Sequence, residues 1–156
     1  MPLISIRQAT PHDLPAIAPL FDAYRQFYDQ APDLPLATAF LRARMANAES
    51  TILVAQRKDG ALVGFCQLYP SFCSVAAAPI YVLYDLFVAP DARKTGAGRA
   101  LLQAAEQYAA SQGVGRMDLT TAKTNLAAQS VYASLGWVRD EVFFAYSKAV
   151  DGAVAV

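Results

Sequence analysis

Arg93-Lys94-Thr95-Gly96-Ala97-Gly98-Arg99-Ala100-Leu101-Leu102 is the stretch whose reading decides the fold. It follows an apolar, β-branched and aromatic run from Ile80 to Val88 and opens a helical pattern. A strand, a short basic loop and a helix start bare of large side chains make an anion site. The first N–H groups of a helix lack intrahelical partners, and its dipole is positive at that end. Gly96 and Gly98 let the backbone approach a phosphate, and Arg93, Lys94 and Arg99 add charge. Two familiar phosphate loops are set aside. A dinucleotide fingerprint needs a third glycine where Leu101 stands. A P-loop needs Gly-Lys-Ser/Thr at the helix start, which is absent. The plainer alternative is a glycine-containing loop–helix junction with solvated basic side chains.

Working outward, Leu3 to Ala9 alternates apolar and polar as a half-buried strand does. Thr10-Pro11-His12-Asp13 is a helix-start signal, and apolar positions recur at Leu14, Ile17, Phe21, Tyr24 and Tyr28. Pro19 predicts a kink there. Leu36 to Asn47 reads as a second helix, with Phe40, Leu41 and Met45 facing inward. Thr51 to Arg57 and Ala61 to Phe72 read as strands joined by a turn at Lys58-Asp59-Gly60. Pro79 to Val88 is apolar on both faces and is expected at the sheet centre. The helix after the basic loop runs to about Gln112 and buries Leu101, Leu102, Ala105, Tyr108 and Ala109. Arg116 to Thr121 reads as a strand, Asn125 to Leu135 as a helix, and Trp137–Arg139 and Val142–Ser147 as closing strands. The fold class is α/β, with a mixed, mostly antiparallel central sheet of about six or seven strands flanked by about four helices.

The totals fit one domain with a sizeable core: 156 residues, 55% hydrophobic and 17% charged. Formal net charge is zero, which argues against a nucleic-acid binder. Cys66 and Cys73 lie on opposite faces of one strand-like segment, no Cys/His cluster suggests a metal, and a reduced, cytoplasmic setting is expected. The start, Met1 to Arg7, does not read as a signal peptide, and Pro79 breaks the most apolar run well short of a membrane span.

Val88-x-Pro90-x-x-Arg93-x-x-Gly96-x-Gly98-x-x-Leu101-Leu102 resembles the acetyl-CoA signature of the GNAT superfamily of N-acetyltransferases. Asn125-x-x-Ala128-x-x-x-Tyr132-x-x-x-Gly136-Trp137 resembles the later helix of that family. The two segments stand in the family's order, and the resemblance extends over nearly the whole chain. A weaker likeness to the histone/polyamine-type branch rests on Phe21 to Tyr28 and Tyr84 to Val88. The resemblance implies a GNAT domain over residues 3–149 and a tail over 150–156.

It further implies that acetyl-CoA is the cosubstrate. Backbone N–H groups of Lys94, Thr95, Gly96, Ala97, Gly98 and Arg99 would hold the pyrophosphate, with Arg93 adding charge. The strand edge Leu86-Phe87-Val88 would pair with the pantetheine arm, admitted by a bulge that splays this strand from the fifth. Asn125 would hydrogen-bond the cofactor. Tyr132 would lie near its sulfur as proton donor, its alternative being a helix tyrosine packed on the sheet. A backbone N–H at Leu86 or Phe87 would meet the developing oxyanion.

Asp85 is the lone acid of an apolar strand. It binds or deprotonates the amine, or else it is a carboxylate satisfied by loop N–H groups. Polyamine-type relatives often carry a glutamate one place earlier, where this chain has Tyr84. Tyr24, Tyr28 and Tyr84 are candidates for the acceptor wall, with Asp22, Asp29, Glu141, Phe143 and Phe144 as further candidates. His12 is expected to cap or to lie exposed.

The implied reaction moves the acetyl group of acetyl-CoA directly to a primary amine: a small amine, a polyamine or an amino-acid derivative. A protein lysine or N-terminus is the alternative acceptor, and a non-catalytic acyl-CoA-binding regulatory module is the alternative class. The expected partners are acetyl-CoA, the amine and a second copy of the chain in a homodimer, with no nucleic acid, no membrane and no metal.

Overall fold

The computed structural model describes residues 3–152. Its elements are β1 (Ile4–Gln8), α1 (Leu14–Phe27), α2 (Leu34–Ala46), β2 (Thr51–Arg57), β3 (Leu62–Cys73), β4 (Ala78–Val88), α3 (Ala97–Ser111), β5 (Met117–Asp118) and α4 (Leu126–Ser134). The chain falls into two compact units that divide between Ala122 and Lys123. The first holds the sheet with α1, α2 and α3, and the second holds α4 and the segment that follows it.

In the first unit the strands lie in the order β1-β2-β3-β4-β5. The first four pair antiparallel, and β5 pairs parallel with β4. Strand alternation puts Ile52, Val54, Phe65 and Phe87 into one cluster with Ile17 and Phe21 of α1 and Leu41 of α2. Fully burying side chains of this size stabilises by roughly 1.5–3 kcal/mol each. The alternate positions serve α3. There Thr51 donates to the Tyr108 hydroxyl at 3.2 Å, and Tyr108 stacks on Tyr81 with ring centroids 5.9 Å apart.

Local chemistry sets the start of α1. Arg7 grips Asp13 with two bonds of 2.8 Å, and Asp13 also accepts the Thr10 N–H at 2.8 Å. The helix then runs unbroken through Pro19, so the expected kink does not interrupt it. Pro19 and Pro15 are both exposed, so the Pro15 carbonyl left without a helix donor lies on the solvent side of the helix. His12 lies exposed in a short 3-10 turn, Pro11–Asp13.

Several expectations are corrected. Among the described residues the sheet has five strands, not six or seven. Strand β5 spans two residues rather than Arg116 to Thr121. β4 is not central: it is next to the edge, flanked by that short strand. Trp137–Arg139 and Val142–Ser147 form no strand. One cause is local. Asp140 accepts the N–H groups of Val142 at 2.8 Å and Phe143 at 3.2 Å, which draws the backbone into a turn where a ladder was expected. Phe40 does not face inward as expected: it is 37% exposed and lies stacked on Phe21. Of the expected tail, 153–156 lies outside the described residues. No helix among the described residues is long and apolar enough to cross a membrane.

Candidate active site

The basic loop and the first turn of α3 form as the sequence implies. Pro90–Ala92 makes a 3-10 turn, and then Lys94 and Gly96 both take left-handed backbone, with φ of 62° and 86°. Gly96 is the N-cap of α3, and no side chain caps that end. The helix ladder begins with the Ala100 N–H donating to the Gly96 carbonyl at 2.9 Å. The N–H groups of the first turn therefore have no carbonyl to reach within the helix. Arg93, Lys94, Thr95, Gly96 and Arg99 are exposed, Gly98 is half-buried and Ala97 is buried against the sheet. A Cβ placed on Gly98 would meet only Val88 Cγ2, at 3.8 Å, so open space adjoins this turn. Arg93 is turned back toward β4: its Nε donates to the Val88 carbonyl at 3.1 Å, and its guanidinium lies 5.7 Å from the Phe87 ring centre. Thr95 donates to the Ala92 carbonyl and pins the loop.

The edge of β4 that faces β5 is laddered only at Tyr81 and Val82. From Leu83 to Val88, among the described residues, no strand covers that edge. The other edge pairs with β3, and there the register shifts: Gln67 lies opposite Asp85 and Leu68 opposite Leu83, which leaves Tyr84 as the extra residue of a bulge. A bulge bends its strand and raises the local twist, a physical reason for β5 to pair so briefly. It also reverses the alternation, because one inserted residue moves the following side chains to the other face. Asp85 is thereby brought in line with Gln67, and Tyr84 is left 67% exposed.

Asp85 is buried, 5% exposed. The Gln67 side chain donates to its Oδ2 at 2.7 Å. Burial raises the pKa of Asp85 above its ordinary carboxylate value, while hydrogen bonds from the Gln67 and Tyr24 side chains pull it back down. Among the described residues Asp85 enters no ion pair. Tyr24 sits on α1 with its hydroxyl donating to the Tyr84 carbonyl at 3.3 Å. Burial and the Asp85 charge push the Tyr24 phenol well above its ordinary range. Tyr24 packs edge-on against Tyr28 at 5.2 Å, and Tyr84 packs edge-on against Tyr69 at 5.5 Å. Tyr24, Tyr84 and Asp85 are thus brought together, with Tyr28 beside Tyr24.

Asp22 is not an acceptor wall. It is buried and accepts the Asp33 N–H at 2.9 Å and the Gln26 amide at 3.2 Å, tying α1 to the turn before α2. Gln67 and Tyr69 beside Asp85, and Ser50 behind Gln67, are the surroundings that the sequence alone does not single out. The available signal was Gln67 itself, a lone amide inside the apolar run Val63 to Leu68.

In the second unit Asn125 is the N-cap of α4, its side-chain oxygen accepting the Ala128 N–H at 3.2 Å. Tyr132 is half-buried on α4 and lies 6.1 Å from the Trp137 ring, and Gly136 closes the helix with φ of 90°. Among the described residues no cluster of three or more His, Cys, Asp or Glu side chains could hold a metal ion.

The sequence model of the acetyltransferase (GNAT) family matches residues 15–137. The chain is 50% identical, over 143 residues, to an uncharacterised N-acetyltransferase of Bacillus subtilis (strain 168), YhfO, covering 92% of this chain and 95% of that one. It is 27% identical over 115 residues to an aminoglycoside N(6')-acetyltransferase type 1 of Serratia marcescens, covering 72% of this chain and 79% of the relative. The crystal structure of a probable acetyltransferase matches with a TM-score of 0.88 at 38% identity, over 95% of this chain and 99% of that chain.

Proposed function

We propose that this chain, which belongs to the acetyltransferase (GNAT) family, is an N-acetyltransferase that carries the acetyl group of acetyl-CoA to a primary amine. The acceptor is a small amine, a polyamine or an amino-acid derivative. The observation that carries the amine is Asp85: a buried carboxylate, edged by tyrosines, that enters no ion pair among the described residues. Burying a charge without a partner is costly, and an incoming ammonium would relieve that cost. The domain is taken as residues 3–149, with 150–156 as a tail.

When bound, acetyl-CoA supplies an acetyl group activated as a thioester. The open space beside Gly98, the uncapped turn and the exposed basic side chains fit its pyrophosphate. Backbone N–H groups from Lys94 to Arg99, with Arg93, would hold it. The uncovered edge of β4 at Leu86 to Val88 would hold the pantetheine arm through backbone bonds. Arg93 already occupies the Val88 carbonyl, so Leu86 and Phe87 have the larger share. The Asn125 amide oxygen is spent on its cap, which leaves the side-chain NH2 as the group for the cofactor.

An alkyl ammonium has a pKa near ~10 and must lose a proton before it attacks. Asp85 is the proton acceptor, and its raised pKa makes it a better base than an exposed aspartate. Tyr132 is the proton donor to the departing thiolate. Tyr24, Tyr28 and Tyr84 form the acceptor wall. Two free cysteines support a reduced, cytoplasmic setting. The exposed side chains of Phe143, Phe144 and Tyr146 support a homodimer joined through that segment.

The test is a panel of acceptors incubated with acetyl-CoA and read as free CoA thiol: 1,4-diaminobutane, spermidine, ornithine, an aminoglycoside and a lysine-containing peptide. Turnover on a small amine is expected, and turnover confined to the peptide would shift the assignment to protein acetylation. Binding of acetyl-CoA with no turnover on any amine would make the chain a regulatory module.

A further inference from the structure

We infer that Gln67 is a positioning residue for the acetyl-transfer reaction: anchored by Ser50, it holds one oxygen of Asp85 and presents the other to the acceptor amine. This rests on the reading of Asp85 as the group that meets the amine.

The geometry is a short relay across three strands. The Ser50 hydroxyl, just before β2, donates to Gln67 Oε1 at 2.8 Å. Gln67 Nε2 on β3 donates to Asp85 Oδ2 on β4 at 2.7 Å. Gln67 is 0% exposed, and a buried amide is tolerated only where its groups are bonded. Chemistry sets its orientation. An ionised carboxylate accepts only, so the amide NH2 faces Asp85 and the amide oxygen is left to accept from Ser50.

The bulge at Tyr84 makes the relay possible by bringing Asp85 opposite Gln67. A free aspartate side chain turns about two bonds, and a short charge-assisted bond to one oxygen removes that freedom. Holding a base in its productive rotamer is worth more than its presence alone.

The titratable neighbours of Asp85 leave it as the group that responds at acid pH. The Asp85 charge acts on Tyr24 of α1 and on Cys66 and Tyr69 of β3. Burial pushes the Cys66 thiol up to about 12 and raises both phenols well above their ordinary range, so all three stay neutral where Asp85 titrates.

The full chain tests this. The acid limb of the kcat profile is measured at saturating acetyl-CoA with 1,4-diaminobutane, ornithine and an aminoglycoside, using whichever reacts fastest. The carboxyl carbon of Asp85 is followed by NMR in the same proteins, with Asp85→Asn for assignment. Gln67→Leu removes a bond that favours the carboxylate, so the limb and the NMR titration both move up, by about one pH unit. Ser50→Ala, at a half-buried site that tolerates the change, frees the Gln67 amide and moves both by a smaller amount in the same direction. The KM for acetyl-CoA stays unchanged in both variants.

An acid limb that stays at its wild-type position in Ser50→Ala and in Gln67→Leu overturns the inference, even if stability falls. An NMR midpoint that does not move in Ser50→Ala overturns it without reference to activity. If Gln67→Leu does not fold, Ser50→Ala decides by both readouts. Wild-type turnover in Asp85→Asn would instead remove the reading on which the inference rests.

Discussion

At Gly98 a Cβ would touch nothing nearer than Val88 Cγ2 at 3.8 Å, whereas Gly96 holds a left-handed φ of 86°. The two glycines of the loop therefore do different work. Gly96 is required by the backbone, because other L-residues adopt that conformation only with strain. No contact within the chain requires Gly98; on the proposed reading it leaves room for the pyrophosphate. A Gly98→Phe protein is expected to fold, keeping its melting temperature within a few degrees, while losing acetyl-CoA binding by about a hundredfold or more, since its ring would fill the space left for a phosphate. Isothermal titration checks this, and wild-type affinity would place the pyrophosphate elsewhere. Both glycines are legible as a pair in the sequence, but their division of labour is not, because it depends on φ and on the empty space around one of them. Asp85 was legible as the lone acid of an apolar strand. Gln67 carries a similar signal in β3 and was passed over, because an uncharged amide raises no alarm until its surroundings are seen to be dry.

The entry to α1 is the element whose energetics are most local. Arg7 from β1 holds Asp13 through both oxygens, with side chains 38% and 14% exposed. Asp13 also accepts the Thr10 N–H, as a capping residue does. The Arg7 guanidinium keeps its carboxyl well below the usual carboxylate range. A depressed native pKa contributes stability that is fully present above the unfolded value of about 3.9 and is lost as pH falls below it. Asp13→Asn is thus expected to cost about 1 kcal/mol near neutral pH after solvent screening of the half-exposed pair, mostly as the lost charge on the two Arg7 bonds, since the Asn amide oxygen still accepts the Thr10 N–H. The gap to wild type should narrow steadily as pH drops below about 4. Urea titrations at several pH values decide it, and a gap that stays constant into acid would mean the pair contributes nothing through charge.

Elements with such local causes were legible. Thr51 to Arg57 is legible to the residue, because a short apolar run and a glycine turn both bound it. The bulge at Tyr84 was expected but could not be placed, since apolar residues on both faces hide a change of phase. The closing strands failed for a further reason. A strand exists only where a ladder partner accepts it, and Val142 to Tyr146 carries the composition without that partner among the described residues.

For the whole molecule the decisive quantity is how strongly acetyl-CoA favours the folded state. A ligand that binds only the native chain stabilises it by about 2.7 kcal/mol at a hundredfold excess over its dissociation constant. For a chain of this size that is a rise in melting temperature of roughly 5 to 10 °C. Two features of the first unit divide the effect. On the proposed reading the α3 turn with its basic loop holds a polyphosphate, and so would accept ATP, NAD or the nucleotide half of CoA. The uncovered edge of β4 past Val82 offers backbone groups to an extended amide chain, which only the pantetheine arm supplies. Acetyl-CoA should therefore raise the melting temperature more than ATP or NAD, and more than 3′-phospho-ADP, at equal concentration. Equal shifts from acetyl-CoA and 3′-phospho-ADP would leave the strand edge without a role. No shift at saturating acetyl-CoA would remove the loop's role as well. A shift that Gly98→Phe abolishes, while Asp85→Asn retains it, would locate donor binding at the α3 turn and separate it from the acceptor chemistry at β4.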